Sequence, residues 1–376
     1  MTTLQLYFAT NRRHQGEDQW RPTGYGTDFS ADGQENLRFG RLSVEADDAV
    51  IDACMVGTSS GEALAKYFKG LVGSAAISAY AEQVDRSLPE TVQKDIKLGS
   101  QAMFDDLQKR MLVASDVLVY IHGFNVSWVA AAATALALQT RLNGTRIADA
   151  AQSVAVVLFS WPSDGAAVPW VSYRSDRSDA EGSGKAVGRA ILKMRDFLIK
   201  LRAEARAGTA ELCKQDIHLL CHSMGNYVLQ QALVRVAEFS PGHVLPRLFD
   251  YIFMCAPDVD DAAFEDGQPL AALPQIARQI SIYHNRNDLA MTISDTTKGN
   301  PERLGTAGLA RPGQAHQKIE MIDCTEVAQG AVGHSYYMNG VVNDDIRLSI
   351  DSRPNTDTLR ARRRHPTLFN VYAFPG

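Results

Sequence analysis

The chain lacks any long hydrophobic run: nowhere do about 18 apolar residues follow one another, so no segment is a candidate for a membrane-spanning helix. The start, Met-Thr-Thr-Leu-Gln-Leu-Tyr-Phe-Ala-Thr-Asn-Arg-Arg, has no basic head followed by an apolar core, which argues against a secretory leader. Charge of one sign is also missing. With 38 Lys+Arg against 43 Asp+Glu, net −5, there is no global field to recruit nucleic acid or an anionic membrane. The five cysteines, Cys54, Cys213, Cys221, Cys255 and Cys324, are odd in number and form no C-x-x-C pair, which excludes a disulfide framework and a zinc ribbon. Most sit in apolar, strand-like runs and behave as small hydrophobes, as expected in a reducing compartment. The expectation is a soluble cytoplasmic protein without metal or organic cofactor. No internal repeat or low-complexity linker divides the 376 residues, which suffice for a large core, and α/β folds commonly run well past 200 residues as one domain. Residues 1–376 are therefore read as a single domain.

Residues 4–10 and 37–45 read as two strands, joined by a polar, Gly-rich segment with Gln19, Trp20 and Arg21 to which no role attaches. Residues 48–112 carry helical patterns. Leu64, Tyr67, Phe68, Leu71, Val72, Ala75 and Ala76 make one apolar face and Met103, Phe104, Leu107 and Met111 another. This insertion reads as a layer packed on the sheet or as a lid, with packing favoured. From residue 116 the period alternates between strand and helix, which implies βαβ units and a mostly parallel sheet. Strands at 116–121, 154–160, 217–222, 250–255, 280–283 and 318–324 are expected, with a loop holding Trp170 and Tyr173 before a helix at 184–205 and a last helix at 341–350. The basic run Arg360-Ala361-Arg362-Arg363-Arg364-His365 is expected to be solvated.

The most informative stretch is Asp216-Ile217-His218-Leu219-Leu220-Cys221-His222-Ser223-Met224-Gly225-Asn226-Tyr227-Val228-Leu229. An apolar run of strand length meets a Ser-x-Gly corner and continues as a helix with Val228, Ala232, Leu233 and Val236 on one face. A serine at such an apex projects its hydroxyl, and the first N–H groups of the helix, chiefly that of Met224, face any oxyanion formed beside it. Cys221 stands where glycine is usual. Short Ser-x-Gly triplets are common by chance, so the case for Ser223 depends on partners. Ligands of open parallel sheets bind at the carboxyl ends of strands. Phe124, Ser163, Ser223, Asp258, Asp288 and His334 all fall just past such ends.

A serine attacks a carbonyl at neutral pH only if an imidazole takes its proton and a carboxylate orients that imidazole. His334, late in the chain in a Gly-rich loop, is the candidate base; the alternative is an ordinary loop histidine. His222 is expected to point back into the fold and His122 to brace its turn or border the pocket. For the acid, chain order favours Asp288, with Asp258 the alternative. The second oxyanion donor is assigned to the N–H of Phe124 after Gly123. Asn125, Trp128, Trp161, Trp170 and Tyr173 are candidates to shape the pocket, Asn125 equally as a helix cap.

The chain resembles bacterial α/β-hydrolases of uncharacterised function in the esterase/lipase superfamily. The resemblance rests on Tyr7-Phe8-Ala9-Thr10-Asn11-Arg12, Ile121-His122-Gly123-Phe124-Asn125-Val126-Ser127, Leu158-Phe159-Ser160-Trp161-Pro162-Ser163, His222-Ser223-Met224-Gly225-Asn226, Ala256-Pro257-Asp258-Val259-Asp260, Arg303-Leu304-Gly305 and Gly333-His334-Ser335-Tyr336. These span most of residues 4–350, although 48–112 departs from the pattern and members more often carry Ala at the position of Cys221. The resemblance implies an α/β-hydrolase fold, to which the helical pattern of 48–112 adds an insertion before the core strands, and a Ser223–His334–Asp288 triad. The expected activity is hydrolysis of a small-molecule carboxylic ester through an acyl-enzyme, with a thioesterase, an amidase or a non-catalytic binding protein as alternatives. Transient membrane contact through Tyr67, Phe68, Leu71 and Val72 is the less favoured reading, and the oligomeric state is left open.

Overall fold

A computed structural model describes residues 1–82, 97–112, 115–144, 153–163, 169–211, 215–240, 242, 245, 247–291, 302–328 and 333–376, with side chains at 115 and 169–172 excepted. The strands are β1 (Thr2–Thr10), β2 (Arg12–Gln15), β3 (Gly24–Phe29), β4 (Arg38–Ala46), β5 (Ala76–Ala79), β6 (Ser115–Ile121), β7 (Ser153–Ser160), β8 (Ile217–His222), β9 (Phe249–Cys255), β10 (Ala277–His284), β11 (Ile319–Asp323), β12 (Arg363–Arg364) and β13 (Val371–Ala373). Eleven of them form one sheet in the order β12-β13-β11-β10-β9-β8-β6-β7-β1-β4-β5. From β13 to β1 every neighbouring pair is parallel, and antiparallel strands close the two edges.

The longer helices are α1 (Asp48–Cys54), α2 (Ser60–Val72), α3 (Gly99–Met111), α4 (Trp128–Gly144), α5 (Pro169–Arg206), α6 (Gly225–Glu238) and α7 (Gly340–Ile350). Alternation along each strand assigns them to two layers. On β7, Ala155, Val157 and Phe159 face the layer of α3, α5 and α6, whereas Val154, Val156 and Leu158 face that of α2, α4 and α7. Helix α4 is apolar on nearly every side, with Ala131, Ala132, Ala133, Ala135 and Ala137 all buried, because it is enclosed between the sheet, α2 and α7. Among the described residues no helix is long and apolar enough to cross a membrane.

Four expectations need correction. First, the stretch 48–112 is not wholly helical. Helix α2 ends at Val72, Ala75 lies beyond it, and Ala76 opens β5, which extends the sheet edge beside β4. Leu64, Phe68 and Val72 are buried on one face of the sheet and Met103, Leu107 and Met111 on the other. Second, the segment around Trp20 contains the β2–β3 hairpin, whose Tyr25 packs edge-on against Phe8 and Trp128. Third, Tyr173 lies within a 38-residue helix and not in a loop, and so does the backbone of Trp170, whose side chain is outside the described residues. Gly184, at the expected helix start, and Gly188 are points of close approach to α6. A Cβ at Gly184 would stand 2.3 Å from Gln231 Cβ, and one at Gly188 2.7 Å from Arg235 Cβ.

Fourth, the basic run at 360–365 is only partly solvated. Arg363 and Arg364 are exposed, but the side chains of Arg360 and Arg362 are covered. Arg360 Nε donates to Asp345 Oδ1 at 2.7 Å, and Arg362 Nη1 donates to Glu320 Oε1 at 3.2 Å while its guanidinium lies over the Tyr372 ring. Buried charge persists only when paired and hydrogen-bonded, and Tyr283 and Ser281 complete the set by donating to Asp345 and Glu320. Cys54, Cys221, Cys255 and Cys324 are free thiols; Cys213 lies outside the described residues.

Candidate active site

Strand β8 delivers Ser223 to a corner that α6 continues. Its φ is +52°, in the left-handed region, which costs an L-residue about 1–3 kcal/mol unless its surroundings enforce it. The enforcement is visible. Ser223 N donates to Cys255 O at 2.9 Å, while Ser223 O accepts from Asn226 N, Asn226 Nδ2 and Asp258 N at 3.0, 3.0 and 3.2 Å. Gly225 allows α6 to start directly against β6, since a Cβ there would stand 2.6 Å from Ile121 O and 2.7 Å from His122 O. Met224 opens the helix, where the first N–H groups have no intrahelical carbonyl to meet. Cys221, in the usual glycine position, is fully buried, and burial pushes its thiol pKa up.

The loop after β6 packs against this corner. A Cβ on Gly123 would come within 2.9 Å of Ser223 Cβ, so Gly123 permits the contact, and Phe124 follows with its ring edge-on to Tyr173 at 5.7 Å. Asn125, at φ +59°, is exposed, and its N–H donates to Asp176 Oδ2 at 2.7 Å. It does not cap α4. That role falls to Ser127, whose Oγ accepts from Ala130 N at 3.3 Å.

Two groups outside the sequence-based candidates hold the loop. Asp176, on α5, also accepts from Ser163 Oγ at 2.5 Å, and Ser163 Oγ in turn accepts from Val126 N. Arg12, buried at the start of β2, donates to Val126 O at 2.7 Å, Gly26 O at 2.9 Å, Ser160 Oγ at 2.9 Å and Ser163 O at 3.3 Å. Arg12 sits in a recognised motif, but only the fold reveals what it reaches. Asp176 carried no signal while its segment read as a loop.

His122 and Trp161, considered for the pocket, have no exposed surface. Their rings stack at 5.2 Å, Trp161 Nε1 donates to His122 O at 2.9 Å, and His122 Nδ1 meets Gly123 O at 2.8 Å, so they brace the loop from below. Burial first, and the Arg12 charge second, push the His122 pKa down to about 3, which leaves it neutral. Trp128 is likewise core, packed on Phe8.

His334 arrives from the loop before α7. Its Nδ1 lies 2.8 Å from Asp288 Oδ2, and its side chain keeps about a quarter of its surface exposed while that of Asp288 is buried. Asp288 N donates to Asn285 O at 3.2 Å, and Asn285 Nδ2 donates to Gly333 O at 2.8 Å, tying both partners to the end of β10. His222 links this pair to the serine corner. It precedes Ser223 in the chain, its Nε2 meets His334 O at 3.0 Å, and its ring centroid is 4.6 Å from that of His334. Buried, and with its ring also 4.7 Å from that of Tyr337, His222 joins the two halves of the site. Burial, then proximity to His334, holds it neutral, with a pKa well below the ordinary histidine value.

Asp258 is engaged elsewhere. Its Oδ2 accepts from Tyr173 Oη at 2.8 Å, and Arg303 Nε lies 3.5 Å from Oδ1. Tyr173 is itself buried and anchors α5 over the site. The structure therefore places His334 against Asp288 and, through His222, beside the Ser223 corner on which the Gly123 loop packs, whereas the Asp258 carboxylate is taken up by Tyr173 and Arg303 although its N–H is bonded to Ser223 O. Among the described residues no group of three His, Cys, Asp or Glu side chains could hold a metal ion.

The profile of an alpha/beta hydrolase family of unknown function, DUF900, matches residues 100–346. No curated protein matches the chain. Among solved structures, EstE1, a thermophilic and thermostable carboxylesterase cloned from a metagenomic library, is similar at 13% identity with a TM-score of 0.29, over 66% of this chain and 80% of that one. The fold assignment rests on the family match and on the sheet itself.

Proposed function

The chain belongs to the DUF900 alpha/beta hydrolases, and from that premise we propose that it hydrolyses carboxylic esters with Ser223 as nucleophile. The observation that carries this reading is the His334 Nδ1–Asp288 Oδ2 contact of 2.8 Å beside the strained serine corner. An imidazole whose Nδ1–H is held by a buried carboxylate presents Nε2 as a base in the correct tautomer. Ser223 Oγ attacks the acyl carbon and its proton passes to His334 Nε2. The oxyanion is held by the N–H groups of Met224 and Phe124, each worth on the order of a hundredfold or more in turnover. Collapse expels the alcohol, which takes the proton from His334. Water then repeats the sequence against the acyl-enzyme and regenerates Ser223. No step calls for a metal or an organic cofactor.

The test is turnover of a p-nitrophenyl ester series from acetate to palmitate, beside Ser223→Ala and intact-mass detection of a fluorophosphonate adduct. The expected result is one adduct per chain and a loss of up to ~10⁶-fold in kcat with the substitution. Folded protein that shows neither turnover nor adduct would overturn the reading.

A further inference from the structure

Tyr173, Asp176, Arg177 and Ala180 recur at three- and four-residue steps along α5, so they share one face of that helix. That face touches both parts of the site. Tyr173 stands edge-on to the Phe124 ring at 5.7 Å and donates to Asp258, whose own N–H meets Ser223 O at 3.2 Å. Arg177 lies over the ring of Tyr227, in the first turn of α6, at 3.7 Å. One rigid element thus spans the loop after β6 and the serine corner.

Asp176 is the fully buried member of the face that grips the loop backbone. Its Oδ2 accepts from Asn125 N at 2.7 Å and from Ser163 Oγ at 2.5 Å, and Ser163 Oγ accepts from Val126 N at 3.0 Å. Bonds to an ionised carboxylate are the short, strong ones. The two N–H groups that follow Phe124 are therefore committed to one carboxylate, directly or through a hydroxyl. Asn125 is held at φ +59°, which an L-residue keeps only where its surroundings enforce it. Among the described residues, by contrast, the N–H groups of Phe124 and Met224 meet no acceptor and stay available. Such donors stabilise an oxyanion only from the right place, and a misplacement of about 1 Å can cost on the order of a hundredfold in rate.

We propose that Asp176 is a positioning residue for the oxyanion hole: buried away from substrate, it holds Asn125 and Val126 so that the Phe124 N–H is aimed, with that of Met224, at the developing oxyanion. This rests on the reading of Ser223 as the nucleophile. The test compares the full chain with Asp176→Ala and Asp176→Asn by kcat and KM on p-nitrophenyl acetate and by the inhibition constant of an aryl trifluoromethyl ketone. Ser223 Oγ adds to the ketone carbon, its proton passes to His334, and the ketone oxygen becomes the oxyanion. Asp176→Ala should lower kcat and ketone affinity together by about a hundredfold, with KM within about threefold of the parent. Asp176→Asn, which keeps an acceptor oxygen without the charge, should lower both by about tenfold. A merely structural role would move the urea midpoint and leave ketone affinity unchanged. If Asp176→Ala does not fold, Ser163→Ala takes its place, with the same parallel loss expected of kcat and ketone affinity. Folded variants that keep both quantities at the parent's level overturn the proposal, as does a loss of kcat that ketone affinity does not follow. A parent chain with neither turnover nor a fluorophosphonate adduct overturns the hydrolase reading itself, and the proposal with it.

Discussion

At the carboxyl ends of β6, β8 and β9, three residues other than glycine hold a positive φ, Asn125 at 59°, Ser223 at 52° and Ala256 at 45°. At the amino ends of the same strands no such residue occurs among those described, and the side chains leave a cavity unfilled. Each strained residue at the rim is clamped through its own N–H: Asn125 to Asp176, Ser223 to Cys255 O, and Ala256 to Tyr283 O and Tyr336 Oη. At the other end Gln215 Oε1 has no partner among the described residues, and burial with Asp250 and Asp116 nearby raises Asp216 to about 6. The difference shows where stability is spent. The rim carries strain of about 1–3 kcal/mol per residue and a dense set of hydrogen bonds to hold it, whereas the base tolerates loose packing because no atom there has to be placed to a fraction of an ångström.

The sharpest way to break that contrast is at the two carboxylates. Asp288→Asn should lower kcat on a small ester by about 10⁴-fold with little change in unfolding midpoint, because the imidazole loses its tautomer while the packing stays. Asp258→Asn should do the opposite, lowering the midpoint through its partner Arg303 and leaving kcat within about tenfold. Matched kinetics and urea unfolding of the two variants decide it, and equal kinetic losses would sink the assignment of Asp288.

Arg12→Met probes the clamp itself. It strips donors from Val126 O, Gly26 O, Ser160 Oγ and Ser163 O, so a loss of on the order of 3 kcal/mol in urea unfolding is expected, from carbonyls left buried and unpaired. Turnover should fall as well, since the Phe124 loop loosens. A variant as stable and active as the parent would remove Arg12 from the site's support.

The smallest effect per group comes from acid. His122 and His218 are both depressed to about 3 by burial, and His222 and His284 are depressed for the same leading reason. Below the unfolded-state value of about 6.5 the unfolded chain takes up protons that the folded chain refuses. This stability is therefore whole above that pH and is lost as pH falls toward 3, with His122 and His218 each contributing a loss on the order of 2 kcal/mol by pH 5. Among the described residues His218 has no hydrogen-bond partner at either ring nitrogen, and it packs beside Tyr251 and Phe253, so His218→Phe should flatten part of the decline. Urea midpoints that do not move between pH 7.5 and 5 would contradict this.

The serine corner of the rim was legible because a strand–corner–helix signal is local. Residues 216–229 carry the strand period, the Ser-x-Gly break and the helical face within 14 consecutive positions. What supports the rim was not legible. Arg12 reaches Val126, Ser160 and Ser163 across separations of 114 to 151 residues, and no periodicity announces such a bond. The glycines of α5 signal a break when read locally and close packing once α6 is beside them. Likewise a run of arginines reads as a solvated face until Glu320 and Asp345, on other elements, are brought to Arg360 and Arg362.

By itself the sequence determined the alternation of strands and helices from residue 116 on, the mostly parallel sheet and the Ser223 corner, because these follow from backbone preference and from the period of apolar residues over short spans. Only the tertiary structure decided that Asp288 and not Asp258 meets His334, that His222 joins the two halves of the site, and that α3 and α5 leave a cavity beneath the sheet. Those outcomes depend on distances between residues far apart in the chain, which hydrophobic burial sets for the whole fold at once and no local pattern encodes.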